Sequence, residues 1–155
     1  MGEAALNPDE VVEQIEIAAP PERVFAAISD PAQVMQWWEE EGFSKIESWE
    51  QDFVVGGRLS ARWSGSKGED YHLSGEFLKI DPPRALSYTW ESNWIAPARS
   101  KVEWRLDPTA QGTRVTVTHS GLRGYPDAVK DYGSGWPSAI RHLREFVLHI
   151  GKHKR

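Results

Sequence analysis

Apolar side chains occupy every second position in four short segments of this chain. The apolar residues are Leu59, Ala61 and Trp63; Leu86, Tyr88 and Trp90; Val102, Trp104 and Leu106; and Val115 and Val117, which His119 follows in the same phase. Because successive side chains of a β-strand point to opposite faces, this period of two predicts half-buried strands. The resulting sheet must bury a face rich in tryptophan, and His119 is predicted to lie on that same face.

The clearest helical pattern lies near the carboxyl end. Five apolar residues recur there at steps of four, three, four and three: Trp136, Ile140, Leu143, Val147 and Ile150. This stripe predicts one long amphipathic helix against the apolar sheet face. We expect the helix to begin near Ser134, which can cap it, and residues 125–132 to form a separate helical turn that ends at Gly133. Such a start also keeps Pro137 in the first turn, where proline is tolerated.

The first part of the chain predicts one strand followed by two short helices. Residues 11–17 have a strand pattern, and Pro20 and Pro21 then open a helix. Asp30 has the N-cap signature of a second short helix. Further strands are predicted near residues 46–49, 58–64 and 71–80.

These elements predict an α+β domain. A curved antiparallel sheet of about six or seven strands wraps around the long C-terminal helix. The side-chain phase changes between Gly75 and Leu78, which predicts a β-bulge there. We expect residues 1–10 to form a flexible N-terminal segment, residues 11–150 a single domain, and residues 151–155 a basic C-terminal tail.

Composition and charge exclude several classes of function. The chain has 155 residues and a formal net charge of −5, whereas nucleic-acid binding needs a clustered basic surface. It contains no cysteine, so disulfides and thiolate chemistry are excluded. The first ten residues contain no apolar run, so neither a secretory signal nor a membrane span is predicted there. We expect a cytoplasmic protein that binds no nucleic acid and uses no cofactor.

Several short motifs, taken in order, resemble a known family. They are IAAPPERVFAAISDP at 17–31, WW at 37–38, VGG at 55–57, GEFLKIDPP at 75–83, GTR at 112–114, THSGL at 118–122 and GW at 135–136. Their order is similar to that of the family named for the activator of the ninety-kilodalton heat-shock-protein ATPase, within the START-like (SRPBCC) superfamily. The resemblance implies a helix-grip fold with an apolar cavity between the sheet and the long helix. It does not fix a function, because the superfamily includes lipid carriers, hormone receptors, aromatase or cyclase enzymes and co-chaperone domains.

A small apolar or aromatic molecule is the first predicted partner, since one helix with about five apolar positions leaves part of the sheet face uncovered. The predicted cavity walls are Trp38, Leu59, Trp63, Phe77, Tyr88, Trp90, Trp104, Val117, His119, Trp136 and Ile140. His119 would supply a polar contact, although a structural histidine bonded to its neighbours fits the pattern as well. No metal site is predicted, since no pair of histidines has a convincing ligand spacing with a carboxylate.

Two other classes of function remain open. The first is a co-chaperone-like module that stimulates a heat-shock ATPase, with a chaperone as partner and residues 39–43 and 93–99 as contact loops. Trp94 in the second loop fits a pocket rim, a partner contact or a packed loop equally well. The second is a cyclase or dehydratase in which His119 and a tyrosine transfer protons. That function needs a second inward titratable group near His119, and the alternation identifies none.

Overall fold

Seven strands form one curved antiparallel sheet in the computed structural model, which describes residues 9–38 and 43–153, without the side chains of 43–45 and 150–153. The strands are β1 (Glu10–Ile17), β2 (Phe43–Gln51), β3 (Arg58–Gly65), β4 (Asp70–Asp81), β5 (Ala85–Ser92), β6 (Ser100–Pro108) and β7 (Thr113–Ser120). Their order in the sheet is β1-β7-β6-β5-β4-β3-β2. The strands from β2 to β7 therefore pair with their sequence neighbours, and β1 joins the far edge beside β7.

The strand register brings the predicted inward phases onto one face. His119 of β7 lies opposite Val11 of β1 and Val102 of β6. Trp104 lies opposite Val117 of β7 and Leu86 of β5. Because directly opposite residues share a face of the sheet, this register confirms that His119 and the strand tryptophans point the same way.

The predicted β-bulge is present in β4. Phe77 pairs with Tyr88, but the next pair joins Lys79 to Ser87, so Leu78 is the extra residue. Leu78 is exposed, whereas Phe77 is buried in the core. The bulge thus explains why the apolar phase changes sides within one strand.

Two short helices, α1 (Pro21–Ser29) and α2 (Pro31–Trp37), follow β1 as predicted. Each begins with a proline in its first turn, where no intrahelical donor is lost. Asp30 caps α2, since its carboxylate accepts a hydrogen bond from the backbone N–H of Ala32 at 3.1 Å.

The third helix, α3, is continuous from Pro126 to His153 and corrects the prediction of a separate turn that ends at Gly133. Pro137 lies inside this helix and has no N–H to donate to the carbonyl of Gly133. The buried residues Ala128 and Tyr132 precede Trp136 at steps of four and extend its stripe. Burial of this face against the sheet outweighs the local cost of glycine and proline, about 1 and 3 kcal/mol in a helix interior.

The rest of the predicted stripe lies in the core. Ile140, Leu143 and Val147 are buried, while the side chain of Ile150 lies outside the described residues. Within the described part of the chain, no helix is both long and apolar enough to cross a membrane.

Candidate functional site

Every residue predicted to line the interior is buried in one core. The set comprises Trp38, Leu59, Trp63, Phe77, Tyr88, Trp90, Trp104, Val117, His119, Trp136 and Ile140. All of its apolar members belong to a single hydrophobic cluster between the sheet and the helices. The structure therefore brings the predicted residues together.

Trp38 is the centre of an aromatic cluster. Its ring centroid lies between 5.0 and 6.4 Å from the rings of six other tryptophans, Trp37, Trp49, Trp63, Trp90, Trp104 and Trp136. Such distances are typical of rings in van der Waals contact. Since Trp38 directly follows α2, this short helix inserts an indole between the sheet and α3. A molecule that binds among these rings must displace some of them.

A hydrogen bond joins two members of the aromatic wall. The indole Nε1 of Trp104 donates to the hydroxyl of Tyr88 at 3.0 Å. Burial raises the pKa of Tyr88 well above its ordinary value, so its hydroxyl stays neutral. The wall thus contains a phenol that can donate or accept a hydrogen bond but carries no charge.

His119 is fully buried and has a partner at each ring nitrogen. The indole Nε1 of Trp136 donates to its Nδ1 at 3.1 Å, and the hydroxyl of Ser100 lies 2.7 Å from its Nε2. Burial lowers the pKa of His119 to about 3, so the imidazole is neutral near pH 7. Because an indole nitrogen can only donate, Nδ1 is the acceptor and Nε2 carries the proton. His119 therefore donates to Ser100, whose hydroxyl can donate onward to the carbonyl of Trp90 at 3.3 Å.

Ser100 and His119 are as close as a nucleophile and its general base, but the direction of their hydrogen bond is the reverse. A histidine that activates a serine accepts the hydroxyl proton at one nitrogen and is oriented through an N–H at the other. Here the nitrogen facing Ser100 is protonated, and the other nitrogen accepts from Trp136. This arrangement holds β6, β7 and α3 together and provides no base for Ser100.

A second chain of hydrogen bonds links the interior to the surface. Trp90 Nε1 donates to the hydroxyl of Tyr132 at 3.2 Å, and that hydroxyl bonds with Ser92 at 3.1 Å. The ring of Tyr132 lies 4.1 Å from the imidazole of His119. We call His119, Ser100, Tyr132 and Ser92 the buried polar cluster. It is enclosed by aromatic rings on the interior side.

Ser92 also lines a depression of about 360 Å³ at the protein surface. The other lining residues are Asn93, Trp94, Ile95, Ala96 and Ala98, all from the loop between β5 and β6. Ser92 therefore lines this depression and also belongs to the buried polar cluster. The predicted contact loop 93–99 is therefore next to the interior, whereas residues 39–42 of the other predicted loop lie outside the described residues.

Three members of the buried polar cluster were not predicted from the sequence, although the pattern contains a signal for each. Ser92 continues the inward series Leu86, Tyr88 and Trp90 by one further step, and Ser100 precedes Val102 in the same phase. Both serines are buried. Tyr132 lies one helical turn before Trp136, and the predicted break at Gly133 hid this relation. A polar residue that continues an apolar alternation is therefore predicted to face inward, as an apolar residue would be.

Among the side chains that the structure describes, no three His, Cys, Asp or Glu residues are arranged to hold a metal ion. The side chain of His72 points outward, where its Nε2 lies 3.0 Å from Asp70 and 3.3 Å from Arg62. These three groups form a solvated polar network on the outer face of β3 and β4.

Comparison with known proteins identifies a family. The sequence profile described as "Activator of Hsp90 ATPase homolog 1-like protein" matches residues 18–147. No curated protein matches the chain. The matched region extends from the end of β1 into the last turns of α3, so it includes the whole buried polar cluster.

Solved structures of bacterial proteins share the fold over nearly the full chain. A protein of Nitrosomonas europaea is similar with a TM-score of 0.82 and 20% identity, over 96% of this chain and 99% of its own. A protein of Chromobacterium violaceum gives 0.81 and 25%, over 91% and 98%. The AHSA1 protein of Silicibacter pomeroyi gives 0.78 and 26%, over 91% and 99%. These similarities agree with the predicted helix-grip architecture.

Proposed function

The chain belongs to the family of Activator of Hsp90 ATPase homolog 1-like proteins, and on that premise we propose that it binds a small, largely apolar or aromatic molecule between the sheet and α3. One observation supports this proposal above the others. The hydroxyls of Ser92 and Tyr132 are hydrogen-bonded to each other; Tyr132 also accepts from the fully buried Trp90, and Ser92 lines a surface depression. Specific sites for small molecules combine apolar walls with a few polar groups in this way.

The interior favours a ligand with one polar end. Aromatic walls such as Trp63 and Trp90 offer ring faces and edges to an apolar body. A hydroxyl, carbonyl or amide at the end of the ligand would exchange hydrogen bonds with Ser92 and Tyr132. His119 is less suited to this contact, because Trp136 and Ser100 already occupy both of its nitrogens. In this proposal His119 fixes the position of the surrounding rings.

Binding is favoured over proton-transfer catalysis by the state of His119. An effective acid or base has a pKa near the working pH, whereas burial lowers the pKa of His119 to about 3. The neutral Tyr88, whose pKa is raised by burial, is no better placed to exchange a proton at neutral pH. The cyclase or dehydratase alternative therefore has less support from this geometry.

Stimulation of a chaperone ATPase is the second candidate, and the family match supports it. The loop 93–99 would be the contact surface, with Trp94 and Ile95 as its half-buried apolar residues. The rate of ATP hydrolysis by the purified chaperone, measured with and without this protein, would test it. An unchanged rate of ATP hydrolysis together with no complex on size-exclusion chromatography would contradict it.

A fluorescence titration tests the binding proposal directly. Phenylnaphthylamine, an uncharged aromatic dye, should bind saturably, with a dissociation constant in the low micromolar range or higher. The bound dye should accept excitation energy from the interior tryptophans. Native mass spectrometry of freshly purified protein should show one bound molecule per chain. Ser92→Ala should weaken binding several-fold through the loss of one hydrogen bond, while Ser66→Ala, at an exposed turn, should not. The absence of saturable binding for this dye and for a panel of aromatic and acyl compounds would contradict the proposal.

A further inference from the structure

Two indole groups set the direction of the hydrogen bonds in the buried polar cluster. Trp136 donates from Nε1 to Nδ1 of His119, and Trp90 donates from Nε1 to the hydroxyl of Tyr132. An indole nitrogen has a proton but no lone pair to offer, so both bonds have a fixed direction. His119 and Tyr132 are therefore acceptors toward the aromatic interior, and the one proton of the neutral imidazole is donated to Ser100.

Ser92 is the member of the cluster that also lines the surface depression. Among the described residues, its hydroxyl lies within hydrogen-bond distance of the carbonyl oxygen of Ile95 at 3.5 Å and the hydroxyl of Tyr132 at 3.1 Å. A serine hydroxyl has one proton and two lone pairs. When Tyr132 donates to Ser92, the serine proton goes to Ile95; otherwise it goes to Tyr132. In either arrangement the proton is used within the protein, and at least one lone pair of the Ser92 oxygen is left for a donor.

The other side chains with polar atoms in this depression belong to Asn93 and Trp94. The amide of Asn93 is bound at both ends, since its oxygen accepts from the backbone N–H of His72 at 2.8 Å and its nitrogen donates to the carbonyl of Asp70 at 3.2 Å. The indole of Trp94 has a donor and no acceptor. Ser92 therefore supplies the hydroxyl acceptor of this depression.

We propose that the ligand presents a hydrogen-bond donor, a hydroxyl or N–H group, to the oxygen of Ser92. This inference rests on the proposed function and narrows the polar end of the ligand to alcohols, phenols and amines or amides with an N–H. Such a donor adds a hydrogen bond without breaking one, whereas an ether, ketone or ester must displace the bond from Ser92 to Ile95 or Tyr132. A carboxylate is disfavoured further, because it can only accept and would lose its hydration among aromatic rings.

Three naphthalene compounds of similar size test this preference by titration calorimetry. 2-Naphthol carries a hydroxyl donor, whereas 2-methoxynaphthalene and 2-naphthaldehyde have an oxygen that can only accept. 2-Naphthol should bind the wild-type protein about fivefold more tightly than either of the others, which is the effect of one additional hydrogen bond. This order is measured on the wild type alone, so it tests the inference whether or not a variant folds.

Ser92→Ala tests whether the preference comes from the proposed acceptor. This variant should lose the advantage of 2-naphthol, so that the three compounds bind within about twofold of one another. Ser66→Ala, at an exposed turn, is the matched control and should keep the fivefold preference. Binding of either acceptor compound as tightly as 2-naphthol, or a preference that persists in Ser92→Ala, would overturn the donor inference and leave the proposed function intact. No saturable binding of these compounds or of phenylnaphthylamine would overturn both.

Discussion

The indole nitrogen Nε1 of Trp136 lies 3.1 Å from Nδ1 of His119, so α3 and β7 are joined by a hydrogen bond of fixed direction. Because Trp136 can only donate, His119 must accept at Nδ1 and donate from Nε2. The imidazole thereby accepts a hydrogen bond from α3 and donates one to Ser100 on β6. Three elements of the fold are held by one neutral side chain, and this role explains its complete burial.

His119 should remain neutral from about pH 4 to pH 8, in the tautomer with its proton on Nε2. Burial lowers its pKa to about 3. Protonation would also place an N–H at Nδ1 against the indole N–H of Trp136. Long-range ¹H–¹⁵N correlation spectra identify the tautomer from the two nitrogen shifts. A midpoint near pH 6.5, or a proton on Nδ1, would contradict this assignment.

The free energy of unfolding should fall as the pH is lowered below about 6.5. The pKa of His119 drops from an ordinary 6.5 to about 3 in the folded protein, so the unfolded chain binds its proton first. This stabilisation is fully present above pH 6.5 and is lost as the pH falls toward 3, at up to about 1.4 kcal/mol per pH unit. Urea unfolding at several pH values measures it. His119→Gln should have a shallower pH slope than the wild type, and identical slopes would exclude His119 as the source.

Two substitutions of Trp136 should separate the stability that comes from its buried volume from the stability that comes from its hydrogen bond. Trp136→Ala should lower the free energy of unfolding by about 3–5 kcal/mol, since it removes a large buried side chain. Trp136→Phe should cost less, about 1–3 kcal/mol, because it mainly leaves Nδ1 of His119 without its donor. Urea denaturation measures both values. Tyr125→Ala removes an exposed aromatic residue near the start of α3 and should change the free energy little. A cost below about 1 kcal/mol for Trp136→Ala would show that Trp136 is not a core residue.

The sequence predicted what depends on local periodicity and missed what depends on contacts across elements. The alternation that ends at His119 identified its inward face, and the phase change near Leu78 identified the bulge. Neither pattern contains the strand register that brings Ser100 to His119. The contacts of Trp38 depend on where α2 meets the sheet, and the period of a helix does not specify that position. The break expected at Gly133 followed residue propensities, which the packing of α3 overrides.

Two glycines with opposite surroundings provide a final test of this distinction. A methyl group at Gly75 of β4 would overlap the backbone carbonyl oxygen of Thr89 on β5, so Gly75→Ala should destabilise the protein by about 1–3 kcal/mol. At Gly133 no atom lies within 4 Å of the added methyl group, the helix's own backbone aside. Gly133→Ala should therefore stabilise the protein by about 0.5–1 kcal/mol, because alanine loses less conformational entropy in a helix. Thermal and urea unfolding of the pair give both signs in one experiment. Destabilisation by Gly133→Ala would mean that the glycine is needed where α3 passes Pro137.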